Sequence, residues 1–453
     1  MFLCLVSIQA VSAQTAGVEQ AINEFVTAEM AKEKVPGLSL AVIKDGKPLL
    51  VRGYGLANVE LNVPVRPETI FQSGSLGKQF VAAAVMLLVE DGKLDVDEKI
   101  SRYVGDVPDS WKNITVRNVL NHTSGMPNDF SEEDYKKDWT EDQLLAKAKA
   151  LPLVFPPGTN WAYSNVGYVV LGILIGKVSG KFYGDVLQER IFKPLGMNTT
   201  RIISESDIIP NRAAGYRLEK GELKNQEWVS PTMNTTADGS FYWSILDLVK
   251  WDDALSKGLV LKQSSWSQVY LPAKLASGST YPYGMGWAVD ARNGRRLIEH
   301  SGSWQGFVTN LSRYVDDKLT VIVLMNLASG EPAKICHVVA EIVEPSLVER
   351  PIKDDDPTST ATHRKLLESF PTGDVNKDLF TDEAAKVLLP RIAASRDRYR
   401  SLGSIESFDL LKRVGEGNDI HHRYLVKFKN GDVIYNLWTS KIGKITTIKF
   451  QLK

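Results

Sequence analysis

The chain has 453 residues, 43% of them hydrophobic and 24% charged, which leaves room for two or three domains with a sizeable core. Lys+Arg and Asp+Glu balance at 54 each, so neither nucleic acid nor an acidic membrane surface is indicated as a partner. The six histidines and two cysteines show no metal-ligand spacing, which argues against a metal hydrolase and implies no cofactor.

The apolar run Phe2–Ala13 ends in Val11-Ser12-Ala13, which fits a small-x-small cleavage site, although no basic residues precede it. Residues 1–13 are therefore expected to be a signal peptide and the mature protein periplasmic or secreted. The run is too short for a stable membrane span. Cys4 would leave with it, and Cys336, in a helix expected over 333–343, reads as a core thiol.

Residues 18–34 have helical periodicity that stops at Pro36-Gly37. Residues 38–43 and 49–54, joined through Asp45-Gly46, read as a β-hairpin. Phe71–Phe80 then leads into an apolar helix that ends near Asp91-Gly92. Thr115 suits the N-cap of a short helix through Leu120. Residues 129–142 are acidic and read as a solvated surface excursion, and helices are expected over 143–150 and 165–179. Strands return at 296–300, 306–314 and 319–326. With strands at both ends and helices between, residues 14–346 are expected to build one antiparallel sheet flanked by helices. Residues 347–362, polar and proline-bearing, read as a linker. Residues 363–453 read as a small α+β unit, with a helix over 382–399 interrupted at Pro390 and four strands near 405–413, 420–428, 433–439 and 445–451.

Ser75 and Lys78 stand three apart where the apolar helix begins, so they share a face. A lysine buried there has a lowered pKa and is able to accept a serine proton. Tyr163-Ser164-Asn165 is the only Tyr-x-Asn and His300-Ser301-Gly302 the only His-x-Gly. Together these residues supply what acyl transfer needs: a nucleophile, proton shuttles, an amide clamp and a polar rim. On its residues alone His122 is open to reading as a catalytic base, and no Gly-x-Ser-x-Gly surrounds Ser75.

Ser75-Leu76-Gly77-Lys78, Tyr163-Ser164-Asn165 and His300-Ser301-Gly302, in this order and 88 and 137 residues apart, resemble the three motifs of the serine β-lactamase and penicillin-binding superfamily. The resemblance covers roughly residues 20–345 and is to the branch of class C β-lactamases, D-Ala-D-Ala carboxypeptidases, D-aminopeptidases and family VIII esterases. It implies an α/β (α+β) fold of β-lactamase/transpeptidase type: an antiparallel sheet with flanking helices and an all-helical subdomain. The C-terminal unit is similar to small NTF2-like or cystatin-like modules. The resemblance implies acylation of Ser75, with Lys78 and Tyr163 sharing proton transfer at pKa values lowered by proximity and burial. Asn165 would hold a substrate amide or orient Lys78. His300 and Gly302 would line the substrate, and the N–H groups of Ser75 and Ser303 would form the oxyanion hole.

Class C β-lactamases carry lysine where this chain has His300. A histidine near its ordinary pKa of about 6.5 is mostly neutral at pH 7. Preference for carboxylate-bearing substrates is therefore expected to strengthen below that pH. The substrate, a small molecule or peptide, stays open between D-amino-acid peptides or amides, short-chain esters and β-lactams. The alternative is a penicillin-binding sensor with little turnover. Phe241-Tyr242-Trp243, with Trp287, Trp304, Tyr281 and Tyr283, read equally well as pocket lining or as core. Oligomeric state is left open.

Overall fold

The computed structural model describes residues 2–202 and 207–452, with side chains from residue 16 to residue 450. It divides into two compact units, residues 1–273 with 282–347 and residues 274–281 with 348–453. The first helix runs Phe2–Glu33, longer than its periodicity suggests, and the side chains of the expected signal peptide lie outside those described.

In the first unit the Asp45-Gly46 hairpin forms as expected, with strands β1 (Gly37–Lys44) and β2 (Lys47–Asn58). Both turn residues have positive φ, 51° and 73°, the backbone that a two-residue hairpin requires. A short β3 (Val63–Pro64) follows β2, and β4 (Ala288–Arg292), β5 (Arg295–Trp304), β6 (Phe307–Tyr314) and β7 (Leu319–Met325) come from the far end of the unit. The seven strands pair in the order β4-β5-β6-β7-β1-β2-β3. The join between the two ends of the sequence is antiparallel, with Leu38 opposite Met325 and Lys44 opposite Leu319.

Both faces of this sheet are covered, so its central strands read as apolar runs. Leu38, Leu40 and Val42 pack with Ile22, Val26, Ile335, Cys336 and Val339 of the N-terminal helix and the helix Pro332–Val343. Ala41 and Ile43 belong to the larger core on the other face, built on the helices Lys78–Glu90 and Asn165–Ser179. In that core Phe80 lies 4.3 Å from Trp251 and 5.3 Å from Phe192, ring centre to ring centre. The aromatic stretch 241–243 is part of it, since Phe241, Tyr242 and Trp243 are at most 1% exposed, and Trp287 is equally buried. Packing accounts for Phe241, Trp243 and Trp287, whereas Tyr242 also lines a cavity with Asn58, Gln72 and Phe307.

The second unit corrects the sequence reading in three places. The expected linker is ordered over its last third, because a helix begins at Pro357: Asp356 caps it, accepting from Ser359 N–H, and proline suits the first turn. Arg413 donates to Asp354, Asp355 and Thr360, so the acidic run is a set of ion-pair partners and not a solvated tether. Residues 274–281 group with this unit although they lie inside the expected first body: Gly417 N–H donates to Thr280 O and Ser277 Oγ to Asn418 Oδ1. Helix 382–399 breaks at Ser395, not at Pro390, giving Asp382–Ala394 and Arg396–Leu402. Four strands, Ile405–Glu416, Asp419–Phe428, Gly431–Ser440 and Ile445–Leu452, pair in sequence order over a core that includes Leu366, Phe370, Tyr424 and Tyr435. Among the described residues no single helix is long and apolar enough to cross a membrane.

Candidate active site

Ser75 is the one residue between Thr69 and Leu88 that is not buried. It sits on the 3-10 turn Gly74–Gly77, and Lys78, fully buried, begins the α-helix proper. The tight turn brings Lys78 Nζ to 3.0 Å from Ser75 Oγ, as the three-residue spacing anticipates. Nζ also donates to Asn165 Oδ1 at 2.7 Å and to the backbone carbonyl of Asp238. Both of these partners are oxygens that only accept. When Lys78 is neutral, its two N–H bonds are held by those two oxygens and its lone pair faces Ser75. Burial pushes the Lys78 pKa down to about 8, against the opposing pull of Asp238 and Asp129.

Asn165 starts its helix behind Ser164, which caps it by accepting from Gly167 N–H at 2.9 Å. The amide is fixed at both ends, since Nδ2 donates to Asp129 Oδ1 at 2.7 Å. Of the two roles expected for Asn165, the geometry contains the orientation of Lys78.

Tyr163 is half-buried with its hydroxyl out of solvent and interacts with Ser75, yet that hydroxyl completes no hydrogen bond of good geometry. Here the sequence reading needs correction. Burial raises the Tyr163 pKa well above its ordinary value, because a phenolate loses its hydration. Tyr163 is thus a phenol at any ordinary pH, an acid and not a base.

The third motif reaches the serine through β5. Strand β4 pairs only with Arg295–Glu299, and beyond them the strand edge runs against the 3-10 turn. Gly74 (φ 53°) and Gly302 permit the approach: a Cβ on Gly74 would lie 2.2 Å from Ser303 N, and one on Gly302 2.1 Å from Ser73 O. This brings together the two stretches that carry the expected oxyanion-hole donors, Ser75 and Ser303. Gly302→Ala is expected to force them apart and lower kcat for an ester substrate about a hundredfold, with the melting temperature as control.

His300, expected to line a polar rim, is buried. Burial and the nearby Lys78 push its pKa down to about 3, so the expected titration near 6.5 is absent. Glu299 faces away, accepting from Ser312 Oγ at 2.7 Å. His122 is held by the backbone beside the second motif: its Nδ1 accepts from Ser164 N–H at 3.1 Å.

Two further residues belong to the constellation. Asp129, assigned from sequence to a solvated loop, presents an exposed carboxylate that accepts from both Asn165 and Tyr135 Oη, the latter at 3.1 Å. Asp238 is 9% exposed, and burial raises its pKa. No spacing signals either residue, since both reach the site through loops.

A covered antiparallel sheet of this topology, with Ser-x-x-Lys, Tyr-x-Asn and His-x-Gly brought to one place, defines a β-lactamase-fold serine hydrolase class. Residues 22–341 match the Beta-lactamase family, and the chain belongs to it. The chain is 31% identical to penicillin-binding protein 4* of Bacillus subtilis over 313 residues, 65% of this chain and 69% of that protein. The D-amino acid amidase of Ochrobactrum anthropi SV3 superposes with a TM-score of 0.62 at 27% identity, covering 73% of this chain and 97% of the amidase. An octameric penicillin-binding protein homologue from Pyrococcus abyssi covers 96% of this chain and is itself covered over 98%, at 24% identity and a TM-score of 0.66.

Proposed function

We propose that the protein is a serine hydrolase that forms an acyl-enzyme at Ser75 and cleaves the amide of an amino acid or short peptide with a free amino group. The observation that carries this reading is the chain Ser75–Lys78–Asn165–Asp129, which ends in an exposed carboxylate. Neutral Lys78 takes the Ser75 proton as Oγ attacks the carbonyl carbon. The oxyanion forms against the N–H groups of Ser75 and Ser303. The C–N bond then breaks as the amine takes a proton from the Lys78 ammonium, directly or through the Tyr163 phenol. Water, activated by the same lysine, hydrolyses the ester.

Substrate choice follows from charge. A neutral, buried His300 offers no cation to a carboxylate, whereas Asp129 offers an anion to an ammonium. The similarity to a D-amino acid amidase favours D-configured substrates. The apolar run Phe2–Ala13 supports action outside the cytoplasm.

Kinetics on D-phenylalanine amide and its N-acetyl derivative test the assignment. Asp129→Asn is expected to lower kcat/KM for the free amine about tenfold or more, the worth of one charge-assisted hydrogen bond, and to change the N-acetyl substrate little. Equal loss on both substrates would mean that Asp129 acts only through Asn165. The similarity to penicillin-binding protein 4* supports a second reading, slow turnover of a stable penicillin adduct. It wins if intact mass shows a lasting adduct on Ser75 and no amide is hydrolysed.

A further inference from the structure

Between the second and third motifs runs a chain of three buried side chains, two of them histidines. His122 Nδ1 meets Ser164 N–H, His122 Nε2 lies 3.2 Å from Tyr283 Oη, Tyr283 Oη lies 2.8 Å from His300 Nε2, and His300 Nδ1 lies 2.6 Å from Ser301 O. Its two ends are backbone groups whose roles are fixed. Ser164 N–H only donates, so His122 Nδ1 carries no proton and the neutral ring has its proton on Nε2. Ser301 O only accepts, so His300 has its proton on Nδ1. Nε2–H of His122 then donates to Tyr283, and the single Tyr283 proton must go to His300 Nε2. Every donor meets one acceptor only if both rings are neutral.

From this closed pattern we infer that Tyr283 is a positioning residue that locks His300 as the neutral Nδ1–H tautomer and so keeps positive charge out of the third motif. The inference deepens the proposed function and rests on it for its consequence, selection against carboxylate-bearing substrates. A proton added to His300 would sit on Nε2 and point at the Tyr283 oxygen, which already accepts from His122. Tyr283 would then have to turn its own proton away from His300, toward the Tyr168 hydroxyl, breaking the closed pattern. The titratable groups facing His300 add to the cost or are silent: Lys78 repels the charge, Tyr163 is a phenol 6.1 Å away between ring centres, and His122 faces it through Tyr283. Tyr283 is itself 4% exposed, and its ring lies 4.8 Å from His122 and 5.7 Å from His300.

The test is the tautomer itself, read by two-bond 15N–1H correlations in full-length protein labelled at histidine nitrogen, with His300→Asn used to identify the signal. His300 is expected to be neutral with the proton on Nδ1 at every pH from 5 to 8. In Tyr283→Phe the donor to His300 Nε2 is gone: the Nε2 signal is expected to shift, while burial and Lys78 keep the ring neutral. In the unaltered protein the ratio of kcat/KM for a carboxylate-bearing over a neutral substrate is expected to stay flat between pH 8 and pH 5. A proton on Nε2, a titration near 6.5 in the unaltered protein, or an unchanged His300 signal in folded Tyr283→Phe would overturn the inference. If the variant does not fold, the tautomer of the unaltered protein decides alone. The spectrum does not depend on turnover, so an inactive protein with the locked tautomer would sink the proposed function and leave this inference standing.

Discussion

Ser75→Ala is expected to lower kcat/KM for a D-amino acid amide by about 10⁴-fold or more, the loss typical of removing a nucleophile that works as a unit with its base. The size of the effect follows from the site. Ser75 alone is accessible within a stretch buried from Thr69 to Leu88, and Lys78 Nζ has its other two bonds committed to Asn165 and the Asp238 carbonyl. Ser73 is not placed to take over: it is fully buried, with its own hydroxyl bonded to the carbonyls of Gly74 and Gly239. Removing one oxygen from a partly exposed position leaves the core untouched, so the melting temperature should stay within a degree or two. Intact mass after a p-nitrophenyl ester pulse should show an adduct on the unaltered protein and none on the variant. An adduct that persists in Ser75→Ala would move the chemistry to another residue.

The second large effect is on pH dependence. Lys78 acts only when neutral, and burial sets its pKa to about 8 in the free protein. The neutral fraction rises with pH, so kcat/KM for the N-acetyl substrate, which has no titrating amine, is expected to climb about tenfold per unit from pH 6 to just below 8 and to level above about 9. Carboxylates do not produce this limb, since it lies far above their ordinary range. Lys78→Arg tests it directly: a guanidinium does not lose its proton in this range, so activity should fall as far as in Ser75→Ala at every pH. A bell or a plateau with its lower limb near pH 6.5 would instead implicate a histidine. That result would contradict the neutral, buried environment of both His122 and His300.

These two expectations differ in how far the sequence supports them. The serine–lysine pair is local: a spacing of three, an apolar helix and the permissive residues before it suffice to join the two side chains. Helix Asn165–Ser179, the Thr115 cap and the Asp45-Gly46 hairpin are legible for the same reason, because caps, periodicity and turn chemistry act within a few residues. What the sequence misjudged depended on distant neighbours. The pKa of His300 was placed near its free value because nothing local says that Tyr283 and Lys78 will bury it. The Tyr163 phenol reads from the motif as sharing the base's work, although desolvation moves a phenol and an ammonium in opposite directions. Asp129 looked like one more charge on a solvated loop until the fold laid it against Asn165. Asp354, Asp355 and Asp356 looked like a tether until Arg413 was brought to them from a strand.

By itself, then, the sequence determines the serine–lysine pair, the order of the three motifs and the sheet assembled from both ends of the first unit, because residue identity and short-range geometry fix them. Only the tertiary structure decides which groups are charged, where Asn165 points, which loop carboxylate reaches the site and where the second unit begins. Those properties follow from solvent exclusion and from contacts between residues far apart in the chain, and neither has a local signature.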